Sequence, residues 1–250
     1  MTLVLTELSS DGIAMVADSA VTMINRASGA VSVSPTPAKK LQYVPYLNAG
    51  VSCWGMGRIG TATTDDWLSN FISSGSGASS IGEFASALAC ALQAEVGGNP
   101  DGECRLGFHV AGFETYNGSQ VPSFFHVHDG PSSTLAARGI KVDPKRINAN
   151  HDVPPDSFGP LGRSWITRNG DYQLYAALDK HLSSFFGALQ SSGIIMPHST
   201  NVSDRADYLV FQARLVADIY RLSNLHPGIG GPIEFLAMTP SGGPIQGTAD

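Results

Sequence analysis

Long apolar runs, charge and cysteine are all scarce in this 250-residue chain. No apolar stretch approaches the roughly 20 residues a membrane-spanning helix needs, so no membrane partner is expected. The N-terminus lacks the basic region and long apolar core of a secretory signal, which predicts a cytoplasmic protein. Basic residues are outnumbered, with 15 Lys and Arg against 21 Asp and Glu, and the formal net charge is -6. Such a balance offers no electrostatic attraction for nucleic acid or an anionic surface. The cysteines, Cys53, Cys90 and Cys104, are odd in number and widely spaced, which excludes a disulfide framework and a zinc site. They are expected to be reduced, buried small hydrophobes. Charged residues make up only 14% against 42% hydrophobic, which argues against disorder and points to surface buried between subunits. With no internal repeat and no linker, residues 1–250 read as a single domain.

The first nineteen residues organise the rest. Two apolar runs, Leu3 to Leu8 and Ile13 to Ala17, flank the turn signal Ser9-Ser10-Asp11-Gly12, which predicts an antiparallel hairpin. Pairing of the runs brings Thr2 within about two residues of Asp18 across the ladder. A hydroxyl on the same residue as a free α-amine, with a carboxylate at hand, is a candidate nucleophile. On its own Thr2 is an ordinary second residue, and Asp18 an ordinary strand end.

Further along, Val21 to Ser34 reads as a looser hairpin or extended loop, Lys39 to Val44 as a short strand and Ala49 to Trp54 as another. Arg58 to Ser73 has helical spacing, and Ser80-Ile81-Gly82-Glu83 forms a capping box before a helix ended by Gly97-Gly98. Cys104 to Phe113 and Val121 to His128, separated by Asn117-Gly118, read as a β-hairpin. The Pro-, Gly- and Asn-rich stretch from Pro131 to Pro160 shows no element, so it is either an insertion or hides a strand. Helices are predicted over Asp171 to Leu189 and Asp204 to Leu222, and a last strand over Ile233 to Thr239. Strands, helices, strands, helices and a final strand fit an α+β sandwich in which helix pairs cover antiparallel sheets.

These pieces, in this order, resemble the proteasome β-type subunits and bacterial proteasome-like members of the N-terminal-nucleophile (Ntn) hydrolases. The matching features are Thr2 through Ala17-Asp18-Ser19 at the family's interval, Lys39-Lys40-Leu41, Ser52-Cys53-Trp54-Gly55, and a late helix followed by Gly230-Gly231-Pro232 and Ile233 to Thr239. The resemblance implies a four-layer αββα sandwich of two antiparallel sheets flanked by helices. It implies a threonine peptidase cleaving peptide or protein substrates after removal of Met1, working without a cofactor or metal, as a homo-oligomer of ring or stacked-ring form. Thr2 would be the nucleophile and its own amine the base. Lys40, preferred over Lys39 because apolar Leu41 follows it, would polarise the pair, Asp18 would hold the lysine charged, and the Gly55 amide would face the oxyanion.

The chain departs from the family before the last strand. His226 and Ile229 stand where the resemblance leads one to expect an aspartate and a serine that support the terminal amine. The resemblance implies a second support, a serine in a turn before the preceding long helix; Asp171, in Asn169-Gly170-Asp171, is the nearest candidate for it, and with Lys39 and His226 it completes the set around the centre. The same departure keeps an inert, structural proteasome-like subunit open as an alternative. Elsewhere, His126 and His128 alternate on one strand face and read as a surface pair rather than metal ligands. Gly55-Met-Gly57-Arg-Ile-Gly60 matches a dinucleotide fingerprint, but the flanking element order is wrong for that fold.

Overall fold

The computed structural model describes residues 2–24, 28–97, 105–130, 146–153, 164–193, 201–223 and 228–249. The predicted hairpin forms from β1 (Leu3–Ser9) and β2 (Gly12–Asp18), in register Val4 with Ala17 and Leu8 with Ile13. Every residue of both strands is buried. That explains the continuous apolar reading: a strand covered on both faces has no solvent side to alternate toward. Leu3, Leu5, Ala14 and Val16 pack in one apolar cluster, while Val4, Leu8, Ile13 and Met15 pack in another.

Short strands β3 (Thr22–Ile24) and β4 (Val31–Val33) follow, and then β5 (Leu41–Val44) and β6 (Ala49–Gly55). The helix expected from Arg58 starts later. Arg58–Ile59 (β7) and Ala62–Thr63 (β8) close a small hairpin, and α1 (Thr64–Ser74) begins only where the Thr63 hydroxyl accepts from the Asp66 amide. This hairpin directly after β6 also removes the strand-to-helix turn that a dinucleotide fingerprint requires. Helix α2 (Ile81–Val96) is capped by Ser80 Oγ on the Glu83 amide at 3.2 Å. The reciprocal arm reaches one residue further back, since Glu83 accepts from the Ser79 amide at 2.8 Å.

Strands β9 (Leu106–Tyr116) and β10 (Ser119–His128) pair through a turn in which Asn117 and Gly118 both have positive φ, the geometry that Asn-Gly adopts most easily. The Pro131–Pro160 stretch contains a strand, β11 (Asn148–Val153); residues 131–145 and 154–163 lie outside the described residues. A further unpredicted strand, β12 (Trp165–Gly170), precedes α3 (Gln173–Ser191) and α4 (Val202–Leu222), whose N-cap is Asn201 rather than a residue nearer Asp204. After β13 (Ile233–Met238), the chain turns back into an unpredicted β14 (Ile245–Ala249).

The long strands form two five-stranded sheets, ordered β12-β1-β2-β13-β14 and β11-β10-β9-β6-β5, antiparallel throughout. Three apolar clusters hold the layers. Leu68, Phe84, Leu88 and Leu92 of α1 and α2 pack on Val51, Phe108 and Val127 of the second sheet. Leu209, Val216 and Tyr220 of α4, with Tyr175 of α3, pack on the first sheet. Val4, Met15, Ala111, Phe124 and Leu236 meet where the two sheets face each other. The fold is therefore mixed α+β, built from antiparallel sheets with four helices among the described residues. None of those helices is long and apolar enough to cross a membrane.

Candidate active site

Thr2 and Asp18 sit at adjoining ends of β1 and β2, on the first sheet. Lys40 precedes β5 and Gly55 ends β6, on the second. Packing of the sheets brings the four residues together. Lys40 Nζ donates to Thr2 Oγ1 at 3.1 Å, to Asp18 Oδ1 at 3.2 Å and to the Ala20 carbonyl at 2.5 Å. Asp18 accepts in addition from the amides of Leu3 (2.8 Å) and Gly230 (3.2 Å). Asp18 is 0% exposed, and Thr2 and Lys40 are each 6% exposed. Lys39 is exposed and does not line the cleft at Thr2, and its backbone amide donates to Asp65 Oδ2 at 3.0 Å.

The electrostatics follow from burial. Removal from water pushes the Asp18 carboxyl above its usual range, against the opposing pull of the Lys40 ammonium and the Leu3 and Gly230 amides. Nearby Glu234, whose Oε2 accepts from the Leu41 amide at 2.9 Å, is pushed up by burial to about 7, again against the pull of amides and of Lys39 and Lys40. The arrangement can hold a threonine hydroxyl within reach of a cation that is itself fixed by a carboxylate and a carbonyl.

A cleft of about 360 Å³ opens on this group, lined by Thr2, Lys40, Cys53, Gly55 and Met56 among others. Gly55 has φ +94°, and a Cβ there would lie 2.1 Å from the Arg105 carbonyl, so only glycine permits the close pairing of β6 with β9 beside the cleft. Burial pushes the Cys53 thiol up to about 12, keeping it an uncharged part of the cleft wall. Cys90 corrects the expectation of buried cysteines, since it is exposed on α2, and Cys104 lies outside the described residues.

Around the candidate centre, Asp171 meets Thr2 through its backbone, its amide donating to the Thr2 carbonyl at 2.7 Å. Its carboxylate accepts from the Tyr220 hydroxyl at 2.5 Å. His226 lies outside the described residues. Ile229 is 3% exposed and packs in the helix-side apolar cluster, where a hydroxyl would find no apolar welcome. Sequence reasoning missed the Ala20 carbonyl and the Gly230 amide, because backbone groups leave no side-chain signature.

Gly170 shapes this corner. Its φ is +82°, and an added Cβ would fall 1.8 Å from the Thr2 carbonyl. Gly170→Ala should therefore cost more than about 1 kcal/mol of stability through backbone strain alone, beyond the steric clash, and displace Thr2. A urea midpoint indistinguishable from wild type would refute the tight fit.

His126 and His128 do share a strand face, but they are not a surface pair. They face the first sheet together with His109, which lies directly opposite His126 on β9. His128 is 2% and His109 0% exposed, and the His126 and His128 rings are 4.3 Å apart. Asn169 donates to His109 Nε2 at 2.8 Å and Thr6 Oγ1 lies 2.9 Å from Nδ1. The Gly130 amide donates to His128 Nδ1, and Asn150 lies 2.7 Å from its Nε2. Burial, reinforced by His128, lowers His109 to about 3; burial lowers His128 to about 4 despite Asp129; and burial with both neighbours holds His126 well below its usual value.

Two facing antiparallel sheets carrying helices thus hold a buried threonine–lysine–aspartate group between them. Among solved structures the chain is similar to Anbu, a bacterial proteasome-like protein of the Ntn-hydrolase type, in the form of a (Gly-1) mutant from Hyphomicrobium sp. strain MC1. The TM-score is 0.51 at 13% identity, over 100% of this chain and 88% of that one. No family model and no curated protein matches the chain.

Proposed function

We propose that this protein is a threonine-type N-terminal nucleophile hydrolase that cleaves peptide or other amide bonds once Met1 is removed. The observation that carries the reading is Lys40 Nζ, held within 3.1 Å of Thr2 Oγ1 and 3.2 Å of Asp18 Oδ1 in a buried setting. In this reading the α-amine of Thr2, with an intrinsic pKa of about 7.7–8.0, takes the hydroxyl proton near neutral pH. The oxygen attacks the substrate carbonyl carbon, and the protonated amine then gives its proton to the departing amine. Water, activated by the same base, hydrolyses the ester left on Thr2. Lys40 stabilises negative charge developing on the threonine oxygen, and Gly55 stands at the cleft wall where the substrate oxyanion would form.

The three apolar clusters support a four-layer αββα stack as the scaffold, and the low overall charge supports burial of surface between subunits of a homo-oligomer. An inert structural subunit is the second reading, favoured by the burial of Ile229 at a position where the resemblance leads one to expect a supporting hydroxyl.

The test combines intact mass with covalent labelling. Purified protein should lack Met1, react with a peptide epoxyketone as a single adduct on Thr2, and lose both labelling and peptide hydrolysis in Thr2→Ala. Retained Met1, or no adduct on a mature Thr2, would overturn the catalytic reading and leave the structural one.

A further inference from the structure

In an antiparallel ladder the N–H and C=O of one residue point toward the same neighbouring strand. The Thr2 carbonyl accepts from the Asp171 amide across the β1–β12 edge. The Thr2 nitrogen, which becomes the α-amine when Met1 is removed, therefore faces the Asp171 segment. The positive φ of Gly170 allows that segment to press against Thr2. The carboxylate of Asp171 accepts from the Tyr220 hydroxyl at 2.5 Å, from the last turn of α4. Tyr220 is 7% exposed and its ring is part of the helix-side apolar cluster, so the phenol is held by packing and is not free to swing away.

We infer that Tyr220 is a positioning residue for the catalytic base: it fixes the Asp171 carboxylate at the edge facing the Thr2 amine and moderates that carboxylate's pull on the amine's proton. The inference rests on the function proposed above. An unmoderated carboxylate beside an amine keeps the amine protonated, and a protonated amine cannot accept the hydroxyl proton. A phenol that donates to the carboxylate draws off part of its charge while keeping it in place. The hydroxyl is suited to this, because burial, the hydrogen bond and the Asp171 charge all keep it protonated.

Among the described residues, Arg214 of α4 lines the same depression as Tyr220, Asp218 and Arg221. Lys40 and Asp18 approach Thr2 from between the sheets and are bonded to each other. On α4, Asp218 and Arg221 pair with each other at 2.8 Å and are exposed. Arg168 of β12 lies over the rings of Tyr172 and Tyr175.

The chemistry predicts opposite effects from removing the two partners. The acid limb of the pH profile of kcat/KM, and of the rate of epoxyketone labelling, should move up by about 0.5–1 pH unit in Tyr220→Phe and down by a similar amount in Asp171→Asn. A purely structural role for the pair would move both variants the same way, or move only the maximal rate. Circular dichroism melts establish that each variant is folded. Tyr220→Phe keeps every ring contact and decides the matter alone if Asp171→Asn does not fold. An active wild type whose Tyr220→Phe profile is unshifted, or shifted down, overturns this inference and leaves the hydrolase standing. A wild type that neither hydrolyses peptides nor labels overturns both.

Discussion

Lys40→Met is expected to abolish peptide hydrolysis and to lower the unfolding free energy by about 3–5 kcal/mol. The two losses share one cause. Asp18 is fully buried, and Lys40 is its ion-pair partner. Methionine fills similar volume but leaves the carboxylate with only the amides of Leu3 and Gly230. Breaking a buried pair by removing one member is costly because the remaining charge is uncompensated, whereas removing both charges is often nearly neutral. The double variant Asp18→Asn with Lys40→Met should therefore recover most of the stability and none of the activity. The pH dependence of the single variant follows from the same carboxyl. Its folded pKa is already raised, so the folded state favours the protonated form; the loss should be greatest at neutral pH and above and shrink in acid as Asp18 takes up a proton. For activity, loss of the cation beside the threonine oxygen should lower kcat/KM by at least about 10²–10³-fold, the cost of removing one fixed donor at a developing charge. A Lys40→Met protein with wild-type urea midpoint and measurable turnover would show that the lysine is neither structural nor catalytic.

The second large effect is acid sensitivity. His109, His126 and His128 are all held neutral in the folded protein, whereas in the unfolded chain each titrates near about 6.5. A depressed folded pKa gives stability that is complete above the unfolded value and is lost as pH falls toward the folded one. The window runs from about 6.5 down to the range of 3 to 4 set by His109 and His128. Each such histidine contributes a slope of about 1.4 kcal/mol per pH unit inside it. Glu234, raised to about 7, and Asp18, also raised, act in the opposite sense, gaining stability as pH falls toward their unfolded values. Three histidines against Glu234 leave a net of about two protons, or roughly 3 kcal/mol lost between pH 6.5 and pH 5, and Asp18 acts to reduce that loss. Urea titrations at those two pH values measure it. His109→Gln, which retains a polar side chain between Thr6 and Asn169, should flatten the dependence. A midpoint independent of pH in both proteins would show that the cluster accepts protons freely in the folded state.

How far the fold could be read from the chain depended on burial. β1 and β2 were visible because both faces are covered and most of their side chains are apolar. β11, β12 and β14 were not, and all three are sheet edges. An edge strand buries little and carries polar residues that discourage further pairing, so Asn148-Ala-Asn-His-Asp-Val153 and Ile245-Gln-Gly-Thr-Ala249 have no apolar rhythm to detect. At the candidate site, Thr2, Asp18, Lys40 and Gly55 were nameable through the order of motifs, and the structure brings those four into one place. The Ala20 carbonyl and the Gly230 amide were not, since any residue supplies them. His126 and His128 show how a correct local reading can mislead: their shared face follows from a period of two, but their burial follows from pairing with His109, a contact that no local spacing contains.

The placement of Thr2 on one sheet and Lys40 on the other has a consequence for the life of the polypeptide. The two residues are 38 positions apart, and only docking of the completed sheets joins them. A chain still emerging from the ribosome, or one whose layers have parted under stress, carries the threonine without its cation. The proposed hydrolysis would thus require docked sheets, and its rate in a partly unfolded sample would report how many molecules have their two sheets closed.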